Sequence, residues 1–168
     1  MDLPKRKHPR LDQRYYSVTG AYFVTICTKD RRCFFANITQ DDSSASQQPQ
    51  LQYTKYGYLA EERLLSLKSR FSFLKIDKYV VMPNHIHIIF VFDRTVGQSN
   101  EHKTLMDVVC AYKSLTSNDC QKNGFVGKIF QTSFHEHIIR DYDEYENIVE
   151  YIHNNPLNWY YDELYSNR

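Results

Sequence analysis

The sequence lacks any long hydrophobic run. No stretch approaches the roughly 18 consecutive apolar residues that a membrane-spanning helix needs, so we expect no membrane partner. No apolar segment follows the basic residues near the start of the chain, which argues against a secretory signal there. These two absences favour a cytoplasmic protein.

Paired cysteines are also missing. The chain has four cysteines, and none of them form a C-x-x-C motif, which argues against a zinc site built from cysteines. In a chain with no export signal, we expect these thiols to be reduced and two of them to lie in the core.

A large net charge is absent as well. The formal net charge is +1 at pH 7, so the overall electrostatics do not indicate a nucleic-acid-binding protein. Residues 1–14, however, form a basic, proline-containing arm, which is either a frayed terminus or a segment that contacts phosphates. The basic residues of this arm are Lys5, Arg6, Lys7, Arg10 and Arg14.

The length of 168 residues predicts a single domain over 1–168. The segment "QDDSSASQQPQ", 40–50, is polar and low in complexity, and we predict a mobile loop there.

Hydrophobic periodicity predicts four strands and three helices. The strands are predicted at 21–28, 74–82, 85–92 and 133–140, and the helices at 56–71, 105–119 and 141–155. The order strand, helix, strand, strand, helix, strand indicates an α+β fold of the ferredoxin-like or RRM-like type. This fold is a four-stranded antiparallel sheet with two helices on one face.

The third predicted strand, "HIHIIFVF", has apolar residues on both faces. Ile86, Ile88, Phe90 and Phe92 face one side, and His85, His87, Ile89 and Val91 face the other. Two helices can cover only the first side, so the apolar residues on the second side need another cover. We expect the last helix to lie over the histidine face.

Two H-x-H pairs occur in predicted strands, namely His85 with His87 and His135 with His137. Residues i and i+2 of a strand point to the same face, about 7 Å apart along the strand, so such a pair can bind a metal ion. A strand histidine is also commonly a hydrogen-bonded structural residue. The spacing alone does not decide between these two interpretations.

Tyr151 lies off the apolar stripe of the last helix. At 100° per residue this stripe contains Tyr145, Ile148, Val149 and Ile152, and Tyr151 lies about 110° from its centre. Asn155 lies about 70° from the centre on the same flank, one turn after Tyr151. Tyr151 is therefore a poor core tyrosine, and it can address one point together with Asn155.

The segments "MPNHIHII" and "YIHNNP" resemble the REP-associated tyrosine transposases, a branch of the single-tyrosine HUH transposases of small insertion sequences. The segment "GAYFVTICTKDRRCFF" is similar to the first strand of that family. The segment "FHEHIIRDYDEYENIVEYIHNNP" is similar to its fourth strand and catalytic helix. Together these segments cover most of the chain.

The resemblance implies roles for individual residues. His85 and His87 match the metal ligands, Asn155 matches a third polar ligand, and Tyr151 matches the nucleophile. His137 matches a fourth-strand histidine and is carried over as an active-site helper toward phosphate or metal. His135 has no match and stays a structural residue. The basic arm resembles a region that contacts DNA beside a hairpin.

The implied function is that of a metal-dependent single-stranded DNA endonuclease and strand transferase. It would cleave next to hairpin DNA through a 5′-phosphotyrosine intermediate, as a monomer or a homodimer that is nucleoid-associated when bound to DNA. Mg²⁺ or Mn²⁺ suits a mixed nitrogen and oxygen site, although Zn²⁺ also binds imidazoles. Four lysines either are solvated or follow the DNA backbone. They are Lys103, Lys113, Lys122 and Lys128.

Two other functions remain open. A non-catalytic nucleic-acid-binding module on the same fold would use the histidines only as structural residues. A zinc hydrolase would bring all four strand histidines to one ion, and its activity would survive the loss of Tyr151.

Overall fold

The structure is a computed structural model, and it describes residues 19–39, 48–95 and 103–165. The basic arm and positions 40–47 of the predicted loop lie outside these residues. The arm residues concerned are Lys5, Arg6, Lys7, Arg10 and Arg14.

Six strands and three α-helices make up the described residues. The strands are β1 (Gly20–Cys27), β2 (Ala36–Thr39), β3 (Gln50–Tyr53), β4 (Leu74–Val81), β5 (His85–Phe92) and β6 (His135–Ile139). The helices are α1 (Lys55–Arg70), α2 (Leu105–Lys122) and α3 (Tyr142–Asn154). Within the described part of the chain, no helix is both long enough and apolar enough to cross a membrane.

Four of the strands form one antiparallel sheet in the order β4-β5-β1-β6. This is the ferredoxin-like order, so the predicted fold class is confirmed. The strands β2 and β3 pair with each other in a second, two-stranded sheet, which was not predicted. Each of these strands has four residues. Strands this short carry little periodic signal.

The sheet separates two apolar clusters. On one face, α1 and α2 cover the side chains of Ile86, Ile88, Phe90 and Phe92, all of which are fully buried. On the other face, Ile152 of α3 packs with Ile89 and Val91. The strand β5 is therefore buried on both sides, which confirms the predicted position of the last helix over the histidine face.

Polar contacts at its first turn fix α3 over the sheet. The Asp141 side chain accepts a hydrogen bond from the Glu144 backbone N–H at 2.8 Å, an N-cap contact typically worth about 1 kcal/mol. The Glu144 carboxylate contacts the His137 ring of β6, and the Tyr145 hydroxyl donates to Asp77 of β4. These contacts tie the helix to both edge strands of the sheet, two turns before Tyr151.

Candidate active site

His85 and His87 stand side by side at the start of β5. Both are buried on the face that α3 covers, and their ring centroids are 4.5 Å apart. The turn at Pro83 and Asn84 brings the chain into this strand, and the pleat then points both rings to one side.

The Asn84 side chain sets the orientation of the His85 ring. The Asn84 amide nitrogen donates hydrogen bonds to the carbonyls of Arg31 and Leu164, at 3.2 and 2.7 Å. The Asn84 amide oxygen is therefore an acceptor, and it lies 2.8 Å from His85 Nδ1. The proton of the neutral ring then sits on Nδ1, which leaves the Nε2 lone pair facing the site.

The His87 ring is also held through its Nδ1 atom, by Thr25 in place of Asn84. Its Nδ1 lies 2.8 Å from the Thr25 hydroxyl on β1, and its Nε2 lies 3.3 Å from the Tyr151 hydroxyl. Burial lowers the pKa of His85 to about 4 and holds the pKa of His87 well below its usual value. Both imidazoles are therefore neutral near pH 7, which is the form that binds metals.

Asn155 places a further possible metal ligand, its amide oxygen, next to His85. It is buried at the C-terminal end of α3, and its amide nitrogen donates to Asp162 Oδ2 at 2.9 Å. This contact turns the Asn155 amide oxygen toward His85 Nε2, at 3.3 Å. Two acceptors then face each other without a shared proton, which is unfavourable unless a cation binds between them.

Asp162 completes the donor set. Ligand atoms of His85, His87 and Asp162 all lie within 4.8 Å of one another. Two imidazole nitrogens, an amide oxygen and a carboxylate oxygen together suit a divalent cation, so the residues present fit a metal site. Asp162 follows a short turn at Trp159–Tyr161, in a tail without a readable pattern. Asp162 was not predicted as a site residue. The sign of it in the sequence was an acidic side chain seven positions after Asn155.

Tyr151 reaches the same point from α3. Its hydroxyl lies 3.3 Å from His87 Nε2 and 3.5 Å from Asp162 Oδ2, while 44% of the residue stays exposed. Burial, together with the Asp162 charge, raises the pKa of Tyr151 to about 12. The phenol is therefore protonated at neutral pH, and it belongs to the same chain as the histidines.

The other H-x-H pair is divided between two locations. His135 is exposed and lines the cavity next to the histidine pair. His137 is partly buried, and its Nε2 contacts the Glu144 carboxylate at the start of α3. Within the described residues, neither of them joins the group formed by His85, His87 and Asp162.

A cavity of about 670 Å³ opens beside Tyr151. Phe23 and Thr25 of β1 line it, together with Asn158 and residues 161–164. Tyr161 is 90% exposed. The volume falls in the range of cavities that take a small organic ligand, which a single nucleotide also resembles in size.

Two of the four lysines considered for DNA binding have protein partners. The Lys113 ammonium donates to the carbonyls of Gln131, Thr132 and Ser133. The Lys128 ammonium donates to the Thr132 hydroxyl at 3.0 Å. These contacts tie both side chains to the segment before β6.

No family model matches the chain. It is 31% identical to an uncharacterized protein of Haemophilus influenzae over 175 residues, which cover 95% of this chain and 93% of that protein. It is 27% identical to the REP-associated tyrosine transposase of Escherichia coli K12 over 149 residues, which cover 86% of this chain and 71% of that protein.

The fold is also similar to a solved structure of a REP-associated tyrosine transposase bound to a REP hairpin. The TM-score is 0.61 at 21% identity, over 94% of this chain and 74% of that chain. In sequence and in fold, the chain therefore resembles the REP-associated tyrosine transposases.

Proposed function

We propose that the protein is a metal-dependent single-stranded DNA endonuclease and strand transferase that cleaves next to hairpin DNA. One observation carries the proposal: the Tyr151 hydroxyl lies 3.3 Å from Nε2 of His87, beside the group of His85, His87 and Asp162 that could hold a metal ion. A nucleophile, its neighbouring ligands and an open cavity then belong to one chain. This arrangement supports a monomer that needs no partner subunit to complete its site.

The Tyr151 oxygen forms a bond to phosphorus while the bond from phosphorus to the 3′ oxygen breaks. The products are a 5′-phosphotyrosine and a free 3′-OH, and the proton that the phenol loses is balanced by the one that the 3′ oxygen gains. Asp162 Oδ2, 3.5 Å from the phenol, is an acceptor for that proton. The phosphotyrosine ester allows resealing to another 3′-OH without ATP.

His85, His87, Asn155 and Asp162 would hold the divalent ion, which we propose to be Mg²⁺ or Mn²⁺. When bound, the ion neutralises charge on the scissile phosphate and orients it. Asn84 and Thr25 would fix the two rings for this task, because each holds an Nδ1 atom.

The related protein whose fold is similar was solved bound to a REP hairpin, which supports hairpin DNA as the partner here. We propose that the arm residues contact this DNA. They are Lys5, Arg6, Lys7, Arg10 and Arg14. We also propose that His137 helps the site through Glu144, which it contacts at the first turn of α3.

The test is a covalent-adduct assay. Labelled hairpin oligonucleotides with single-stranded flanks are incubated with Mn²⁺ and separated on a denaturing protein gel. We expect an adduct with the wild-type protein and none with Tyr151→Phe. Tyr142→Phe is the matched control, because Tyr142 lies on the same helix and is 71% exposed. Adduct formation by Tyr151→Phe would contradict the proposal.

The assay also separates the two alternatives. Hairpin binding without any adduct in the wild type would indicate a non-catalytic binding module. Cleavage that survives Tyr151→Phe would indicate a metal hydrolase, for which His135 and His137 would have to join the other two histidines.

A further inference from the structure

Arg31 lies in an unusual backbone turn beside the candidate site. It follows β1, and both Asp30 (φ 56°) and Arg31 (φ 53°) adopt the left-handed conformation. Residues other than glycine rarely adopt it, and two in succession cost free energy that the surroundings must supply. The strained turn borders the cavity next to Tyr151, because Arg31 is one of its lining residues.

The Arg31 backbone is tied to the metal-binding group. Its carbonyl accepts a hydrogen bond at 3.2 Å from the Asn84 amide nitrogen, and the same amide holds the His85 ring through its oxygen. A shift of the turn would therefore disturb His85. The position of Arg31 is thus fixed relative to the histidine pair.

The Arg31 guanidinium is the cavity's source of permanent positive charge. Among the described residues that line the cavity, no other side chain is an arginine or lysine, whereas Asp162 and Glu163 are acidic. The guanidinium forms no ion pair with either carboxylate within the described residues, and its Nη1 donates to the Glu163 carbonyl at 2.8 Å. A guanidinium has five N–H donors, so others are left for a ligand.

The Arg31 charge lies at the candidate site, because its side chain lines the same cavity as His87, Tyr151 and Asp162. A phosphate that enters this cavity would therefore meet the guanidinium. A phosphate that enters beside Asp162 and Glu163 needs such a cation.

We propose that Arg31 is a further catalytic residue, which donates hydrogen bonds to the non-bridging oxygens of the scissile phosphate. This assignment rests on the proposed nuclease function. Charge on the non-bridging oxygens must be stabilised as the Tyr151 oxygen attacks, and a planar guanidinium matches two of these oxygens with parallel N–H groups. The competing explanation is a structural clamp, in which Arg31 only holds the Glu163 carbonyl.

The experiment measures whether Arg31 and the phosphate charge act together. The cut position is first mapped from the wild-type adduct. Oligonucleotides then carry either the natural phosphate or an uncharged methylphosphonate at that position. In a Tyr151→Phe background, which cannot form the adduct, fluorescence anisotropy gives the Kd of each oligonucleotide with Mn²⁺. Single-turnover rates on the natural phosphate are measured with Tyr151 intact.

We expect Arg31→Gln to lower the single-turnover rate by about 10²-fold, the usual loss when one oxyanion donor is removed. It should weaken binding of the phosphate oligonucleotide about tenfold and leave the methylphosphonate oligonucleotide unchanged. Arg31→Lys keeps the positive charge but lacks the planar guanidinium. We expect its single-turnover rate and its Kd for the phosphate oligonucleotide to lie between those of the wild type and Arg31→Gln. Arg32→Gln is the matched control, because Arg32 is exposed and its guanidinium lies over the Phe125 ring at 5.6 Å.

Three results would overturn the assignment. Equal weakening of both oligonucleotides would indicate the structural clamp, and wild-type behaviour of Arg31→Gln would remove the role altogether. Absence of any wild-type adduct would overturn the proposed function and this assignment with it, whereas the first two results leave that function standing. If Arg31→Gln unfolds at lower temperature than the wild type, the comparison rests on Arg31→Lys.

Discussion

The Asn155 amide oxygen lies 3.3 Å from Nε2 of His85, so two hydrogen-bond acceptors face each other. The Asn155 amide is oriented by Asp162, and the His85 ring is oriented by Asn84. Neither group can turn away without losing a hydrogen bond. Such a pair is stable when a cation binds between its members, which makes metal binding the first property to measure.

Mn²⁺ should stabilise the folded protein, because an ion that binds only the folded state shifts the unfolding equilibrium. At 100 times its Kd the ion adds about 2.7 kcal/mol to the free energy of unfolding. We expect a higher Tm with Mn²⁺ and reversal by a chelator. His85→Gln should abolish the shift, and His135→Gln should keep it, because His135 lies outside the metal-binding group. A shift that survives His85→Gln would contradict the site.

Asp162→Asn should lower the pKa of the Tyr151 phenol. The Asp162 carboxylate is 3.5 Å from that hydroxyl, and its charge adds to burial in raising the pKa of Tyr151 to about 12. Removing a nearby negative charge favours the phenolate, so the pKa should move back toward 10. Fluorine NMR of fluorotyrosine-labelled protein measures it, with Tyr151→Phe assigning the resonance. An unchanged pKa would show that the Asp162 charge does not contribute, and a higher pKa would contradict the prediction.

Regular periodicity explains why much of the fold was predictable. Residue spacing predicted the burial of β5 on both sides and the apolar stripe of α3. It also predicted that His85 and His87 share one face of the strand and that Tyr151 and Asn155 share one flank of the helix. Asp162 lies in a tail whose path depends on packing of the Trp159 ring. Spacing carries no information about such a path, so Asp162 was missed.

The different locations of His135 and His137 of β6 could not be predicted from the sequence either. Both point to the face under α3, and only the register of the strand separates them. Thr25 of β1 pairs with His87 on one side and with His135 on the other, so His135 lies in the row of the site. His137 lies one pair further along, opposite Phe23. Register depends on the assembled sheet and is not visible in one strand.

Gly57→Ala should destabilise the protein, although alanine is the better helix former. Gly57 lies in the first turn of α1, where a Cβ atom would come within 2.1 Å of the Phe35 carbonyl oxygen. Helix propensity alone predicts a gain of about 1 kcal/mol, whereas overpacking against backbone costs about 1–3 kcal/mol. Urea unfolding distinguishes the two signs. Ser66→Ala in the same helix is the control, and a Gly57→Ala protein more stable than wild type would contradict the close approach.

Folding stability should decline below about pH 6.5 through the buried histidines. In the folded state the pKa of His85 is about 4, against an ordinary value of 6.5, because burial disfavours the imidazolium. Between these two pH values the unfolded chain is protonated at His85 and the folded protein is not. The free energy of unfolding is therefore unaffected by His85 above pH 6.5 and decreases as the pH falls toward 4. The slope is at most about 1.4 kcal/mol per pH unit for each such histidine.

Urea unfolding between pH 7 and pH 4.5, without divalent ions, measures this loss. His85→Gln should flatten the pH dependence, since glutamine does not titrate. Carboxylates contribute equally to both proteins, so their effect cancels in the comparison. Parallel curves for the wild type and His85→Gln would show that His85 is protonated as readily in the folded protein as in the unfolded chain.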